Sequence, residues 1–175
     1  MPPSKRKLAT GQLLKLQIGI KGKQTYAMQG WTYAIGPRND EAMRLMQSGI
    51  EALRSAVSTV SSGARVGVIG AAIQTRVEAD GFTVSRHFVG HGVDTRPHTD
   101  PQILGFGVAA HGPRLRPGAI LSINVIAHAG AFDCEVLDDN WTTVAKDGRR
   151  SVQFGQMVIV TEGPAEIVTI ERTHV

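Results

Sequence analysis

Gly81-Phe82-Thr83-Val84-Ser85-Arg86-His87-Phe88-Val89-Gly90-His91-Gly92-Val93 is the stretch on which the fold turns. Phe82 to Phe88 reads as a strand, and from Val89 the chain reads as a loop running on through Asp94-Thr95-Arg96-Pro97-His98-Thr99-Asp100-Pro101. Glycine and proline punctuate that loop, and it holds two histidines, His91 and His98. Imidazoles on a stiff loop can converge as metal ligands, acid/base groups or substrate clamps, and they can equally be two solvated side chains. The residues of this stretch leave those readings open.

Toward the N-terminus, apolar residues alternate with Gln12, Lys15, Gln17 and Gly19 over Gln12 to Ile20, a period of two that predicts a strand. Thr25 to Ile35 can pair with it through a turn at Lys21-Gly22-Lys23. Gly36-Pro37-Arg38 then stops the chain, and a helix starts with Asn39 or Asp40 as N-cap and Glu41 in the first turn. Ala42, Leu45, Met46, Ile50, Leu53, Val57 and Val60 recur at helical spacing up to Ser61-Ser62-Gly63, with Met43 and Met46 as core filler. A second helix is expected over about Val66 to Ala79. It contains Gly67 and Gly70, each costing roughly 1 kcal/mol in a helix interior, which implies close packing against the sheet.

Beyond the histidine loop the pattern is strands: Ala119 to His128, Phe132 to Leu137, Trp141 to Ala145, Gln153 to Thr161 and Ala165 to Arg172, with a turn at Glu162-Gly163-Pro164. Two long helices packed against one strongly bent antiparallel sheet is an α+β arrangement.

The chain has 175 residues, enough for one domain with a real core, expected to span 1–175 with a basic tail at 1–7. No apolar run approaches the roughly 20 residues of a membrane-spanning helix, and no apolar region of a signal peptide follows the basic start. One cysteine, Cys134, excludes an intrachain disulfide, reads as a small apolar residue, and fits a reducing, cytoplasmic setting. The formal net charge is +4, but the basic residues are scattered and aromatics make up only 5%. That pattern describes a solvated basic surface and argues against a nucleic-acid partner.

The block from Gly81 to Val93 resembles type I methionine aminopeptidases, peptidase family M24, whose fold is the pita-bread (creatinase/aminopeptidase-like) fold. So do, in order, Leu13-Leu14-Lys15-Leu16-Gln17-Ile18, the helix segment Gly70 to Gly81, Arg116-Pro117-Gly118 running into Leu121-Ser122-Ile123-Asn124, and Trp141-Thr142 through Gly155 to Thr169. The resemblance spans about residues 8 to 172. It implies an N-terminally truncated chain, because the N-terminal half of the family fold would precede Leu8. A homodimer, or a heterodimer with a related chain, would then cover the surface left behind.

That family binds two metal ions with two aspartates, one histidine and two glutamates. Carried onto this sequence, the aspartates fall on Gln17 and Met28, the histidine on His91, and the glutamates on Asn124 and Gly155. The family's substrate-contacting histidine is His98, followed by Thr99 where a glutamate is usual, and Val125 stands where the family has proline. Neutral amides, a thioether and a glycine cannot bridge hard divalent cations, and a carboxylate cluster without cations would repel itself. The expectation is therefore a degenerate metal site, with no metal and no other cofactor.

His91 and His98 are the candidate catalytic residues, and Gln17, Met28, Asp94, Asn124, Phe154 and Gly155 the candidate substrate-binding set. The expected function is a repurposed, metal-free pocket for a small molecule or peptide, possessing His-based acid/base chemistry if it is an enzyme. Two alternatives stand beside it: a non-catalytic pita-bread binding or scaffold module, and a metal-dependent methionyl aminopeptidase completed by a partner chain. Asp94 with His91 and His98 gives a third, weaker pattern, His-x2-Asp-x3-His, a conceivable single-zinc site. Asn124 and Gln17, polar residues inside apolar strands, are expected to bond a ligand, each other or His91. His128 is expected in a solvated turn, Trp141 as a structural residue at a strand start, and His87 has no assigned role.

Overall fold

The computed structural model describes residues 5–37 and 39–169. In chain order it contains β1 (Leu13–Lys21), β2 (Tyr26–Ala34), α1 (Asp40–Ser58), α2 (Gly67–Ala79), β3 (Thr83–Val84), β4 (Gly90–Val93), β5 (Thr99–Ile103), β6 (Ile120–His128), β7 (Cys134–Val136), β8 (Thr143–Ala145), β9 (Ser151–Ile159) and β10 (Glu166–Ile167). The main sheet is antiparallel throughout, in the order β1-β2-β9-β6-β4-β5, with β3 beside β6 and β10 beside β9. Both helices lie on one face of it, which is the expected α+β arrangement.

Local chemistry sets the element boundaries. Gly22 donates to Thr25 O at 2.8 Å and closes the β1–β2 turn. Asn39, not Asp40, caps α1: its Oδ1 accepts from the Ala42 amide at 2.8 Å, and Asp40 and Glu41 complement the positive end of the helix dipole.

Strand parity divides β6 and β9 between two surfaces. Leu121, Ile123 and Val125 of β6, with Val152, Phe154 and Val158 of β9, face the helices and join Leu45, Leu53, Ile69 and Ile73 in one core. Phe154 is fully buried, meets Trp31 edge-to-face at 4.9 Å, and lies against α1 where Gly49 leaves room for its ring. The alternate residues Ser122, Asn124, Ile126 and His128 point to the opposite face, where the cleft lies. Val125 continues β6 without a break, pairs with Phe154 and faces the core rather than the cleft.

Several local expectations need correction. His91 is not on a loop: it lies within β4, hydrogen-bonded between β5 and β6. The strand expected over Phe82 to Phe88 shrinks to Thr83–Val84, its last bond to β6 running from the Ser85 amide to Ile126 O at 2.9 Å. The segment around Cys134 and Thr143 is not part of the bent sheet but a separate two-stranded ribbon, β7–β8. Gly67 and Gly70 fit close packing as expected, yet against a different neighbour. A Cβ at 67 would sit 2.2 Å from Val108 O and one at 70 would sit 2.5 Å from Phe106 O, so at these two glycines the helix meets the 104–111 loop rather than the sheet. The last expected strand is paired over Glu166–Ile167, and its residues 170–172 lie outside the described part, as do residues 1–4 of the basic tail.

On the helix-facing side of edge strand β1, Leu16, Ile18 and Ile20 are 46%, 62% and 63% exposed. No helix among the described residues is long and apolar enough to cross a membrane.

Candidate functional site

The cleft-side face of the sheet is organised as ranks of residues in register. One rank runs Gln17, Gly30, Gly155, Asn124 across β1, β2, β9 and β6. The neighbouring rank places Lys15 opposite Thr32, whose hydroxyl donates to Gln153 O and accepts from Gln153 N, both at 2.9 Å. Above these ranks lies a cavity of about 1050 Å³ whose wall includes Lys15, Gln17, His91, His98, Gln102, Asn124, His128 and Gln153. Its size exceeds the usual range of about 300–1,000 Å³ for small-molecule sites, so volume does not exclude a small molecule or short peptide.

His91 is held between two glycines for a steric reason. A Cβ at Gly90 would lie 2.4 Å from Ser122 O, and one at Gly92 would lie 2.2 Å from Asp100 O. Only bare backbone lets β4 slide between β5 and β6, and that insertion points the imidazole at the cleft. The His91 Nδ1 is 3.0 Å from Gly92 O. A carbonyl can only accept, so Nδ1 carries the proton and Nε2 keeps its lone pair. Burial pushes the His91 pKa below the ordinary imidazole value, the nearby His98 adds to this, and the Gly92 contact opposes it. His91 is therefore neutral at pH 7, with a basic Nε2. The His98 ring stands beside it, centroids 4.2 Å apart and planes tilted by 52°. The two catalytic candidates do converge.

The proposed binding set divides. Gln17 and Asn124 line the cavity. Asn124 bonds neither Gln17 nor His91: its Nδ2 donates to Ser122 Oγ at 3.4 Å, and its Oδ1 accepts from Gln153 Nε2 at 3.3 Å. Gly155 faces the same side, but a Cβ there would sit 2.4 Å from Asn124 Oδ1, so the asparagine occupies the space a side chain at 155 would need.

Met28, Phe154 and Asp94 are outside the cavity wall. Met28 is buried with Met157 and Val93 in a small apolar cluster, its amide 2.9 Å from Met157 Sδ. Phe154 belongs to the core on the far face of the sheet, because it is one residue from Gly155 and parity turns it away. Asp94 closes its own turn: its Oδ1 accepts from Thr95 N, from Thr95 Oγ1 at 2.7 Å and from Arg96 N at 3.3 Å, which lowers its carboxyl pKa. Those bonds explain its placement better than the His-x2-Asp-x3-His pattern does. Among the described residues no three His, Cys, Asp or Glu side chains converge as a group that could hold a metal ion.

Six further residues join the cavity wall unannounced. Lys15 and Gln153 could have been found by parity, since each lies two residues from a position already singled out, Gln17 and Gly155. Trp141 is 72% exposed at the cavity rim rather than structural. His128 is not in a solvated turn: it ends β6, is only 4% exposed, has no hydrogen-bond partner on either ring nitrogen among the described residues, and has its pKa lowered by burial. His87 and Cys134 complete that end of the cavity, the thiol pKa being raised by burial.

Compared with known proteins, residues 1–162 match the model of metallopeptidase family M24. The chain belongs to family M24. Methionine aminopeptidase A of Synechocystis sp. is 38% identical over 170 residues, 97% of this chain and 67% of that protein. Methionine aminopeptidase 1 of Bacillus subtilis is 36% identical, over 95% of this chain and 67% of that protein. Among solved structures, the methionine aminopeptidase of Thermotoga maritima superposes with a TM-score of 0.94 at 33% identity, over 98% of this chain and 69% of that one. The fold is thus the pita-bread fold, and this M24 chain is methionine-aminopeptidase-like over about two thirds of its relatives' length.

Proposed function

We propose that this M24 domain does not hold a pair of metal ions and that its cavity binds a small molecule or peptide, with His91 and His98 as an acid/base pair. The observation that carries the reading is the rank Gln17, Gly30, Gly155, Asn124. The positions that the family resemblance assigns to carboxylates carry amides or nothing, and Asn124 fills the space beside Gly155. A dinuclear hydrolytic centre needs anionic oxygens to bridge its cations and acidify a bound water. Here the donor set is one imidazole nitrogen, neutral carboxamides and a thioether buried among apolar side chains. These residues do not fit such a centre, and no step of the chemistry is assigned to one.

What the residues do fit is proton movement. The neutral His91 offers Nε2 as a base, and its Nδ1–H on the Gly92 carbonyl fixes the tautomer. His98 stands close enough to pass or accept a proton at the same locus. The partner expected from the sequence, a second copy or a related chain, belongs to the same proposal, with Leu16, Ile18 and Ile20 as the surface it would cover. So does the cytoplasmic setting.

The test is metal analysis and metal titration of the purified chain, with release of N-terminal methionine measured alongside. No stoichiometric manganese, cobalt, iron or zinc, and no methionine release, is expected. Two tightly bound transition-metal ions per chain would overturn the proposal and restore the metallopeptidase alternative. His91→Ala and His98→Ala separate a catalyst from a scaffold. Lost turnover of a cellular substrate in a folded variant supports catalysis, and unchanged biological activity supports the scaffold module.

A further inference from the structure

We propose that the cavity seats an oxyanion, the carboxylate or phosphate group of a small molecule, on Lys15, with the carboxamides of Gln17 and Gln153 beside it. This inference rests on the reading of the cavity as a metal-free binding site.

Three observations lead to it. The first is placement. The alternation of β1 puts Lys15 and Gln17 on the cavity face, and the Lys15–Thr32 pair, with Thr32 bonded to Gln153, puts Lys15 and Gln153 in one rank on either side of Thr32, both lining the cavity.

The second is charge. Among the described residues Lys15 makes no ion pair, since the salt bridges belong to other side chains. The cavity wall holds two fixed cations, Lys15 and Arg96, against a single carboxylate, Asp100. A cationic ligand group would meet net repulsion there, and an anion would meet attraction. The surrounding protein strips part of the water from the ammonium, which lowers its pKa. Lys15 is nonetheless an exposed residue, so its ammonium can be reached from solvent and can make a charge-assisted hydrogen bond to an incoming anion.

The third is donor geometry. Asn124 Oδ1 is taken by the amide of Gln153. Gln17 presents a further carboxamide to the cavity, where its N–H donors suit the remaining lone pairs of a carboxylate or phosphate.

The experiment is a titration of the intact chain, isotopically labelled and freed of metal with a chelator, with sodium acetate and separately with inorganic phosphate. Sodium chloride at matched ionic strength is the control, and the readout is the NMR shifts of the Gln17, Asn124 and Gln153 side-chain amides and of the Lys15 terminal methylene. Saturable shifts with acetate or phosphate, absent with chloride, are expected. Acetate saturation alone identifies a carboxylate source, and phosphate saturation identifies a phosphate ester. Lys15→Met should weaken binding at least tenfold, and Lys15→Arg should keep it. Non-saturable shifts, or equal binding by Lys15→Met, would overturn this inference while leaving the metal-free reading intact. Saturation that appears only after manganese is added would overturn both, because the anion would then be held by the metal.

Discussion

Gly155→Ala is the perturbation that bears most directly on the reorganised rank. The new Cβ would sit 2.4 Å from Asn124 Oδ1 and 3.3 Å from Ile123 O, where ordinary contact begins near 3.4 Å. The Ile123 carbonyl belongs to the β6–β9 ladder and cannot retreat, so the Asn124 carboxamide must swing away by roughly 1 Å. That movement breaks the Gln153-to-Asn124 bond of 3.3 Å and the Asn124-to-Ser122 bond of 3.4 Å. Two such bonds contribute about 0.5–1.5 kcal/mol each, while replacing glycine within a strand returns about 0.5–1 kcal/mol. The net loss is about 1 kcal/mol at mid-range, within about 0–2.5 kcal/mol, or roughly 2–4 °C in Tm for a domain of this size. Urea unfolding of Gly155→Ala, Asn124→Ala and the double variant tests the argument. In the Asn124→Ala background the obstruction is gone, and Gly155→Ala should be neutral or stabilising, a non-additivity of at least about 1 kcal/mol. An equal cost of Gly155→Ala in both backgrounds would refute the claim that Asn124 holds the space of the missing side chain.

Phe154→Ala should cost about 3–5 kcal/mol in chemical denaturation, the usual penalty for an aromatic cavity in a core, because its ring is fully buried between Trp31 and α1. A much smaller loss would argue that β9 does not pack as described. Gly92→Ala should lower Tm far more than a surface change, since its Cβ would meet Asp100 O at 2.2 Å, and backbone cannot step aside. His91 and His128 both have folded-state pKa values lowered by burial, so the unfolded chain takes up protons first as the pH drops. Their contribution to stability is complete above about 6.5, the ordinary imidazole value, and is lost as the pH falls below it. The urea midpoint should therefore drop between pH 7.5 and pH 5.5, and His128→Asn should flatten that dependence; an unchanged slope would show His128 to be freely solvated. Light scattering at micromolar concentration should return a mass above that of one chain, and Ile18→Lys should lower it if β1 is the contact surface. A monomer of the parent chain removes the assembly proposal.

Pattern alone determined much of this protein. Period-two alternation placed β1, β2, β6 and β9, helical spacing placed α1 and α2, and Asn39 announced its cap, because these features depend on neighbours within a few residues. The substitutions at Gln17, Asn124 and Gly155 were also legible, as residue types against a family pattern. Tertiary structure decided where side chains point and what they meet. Phe154 left the binding set because strand parity turned it to the core against Gly49, and Met28, though on the cleft-side parity, because Met157 and Val93 drew it into an apolar cluster. His91 proved to be a strand residue, since the glycines beside it make room for β5 and β6, elements remote in the chain. His128 changed from solvated to buried because β6 carries it between Thr83 of β3 and Ser151 of β9, while Lys15 joined the cavity wall beside Gln153 only when β2 and β9 were brought together. Alternation and capping are set by local geometry, whereas burial and charge pairing are set by whatever the fold brings from far along the chain.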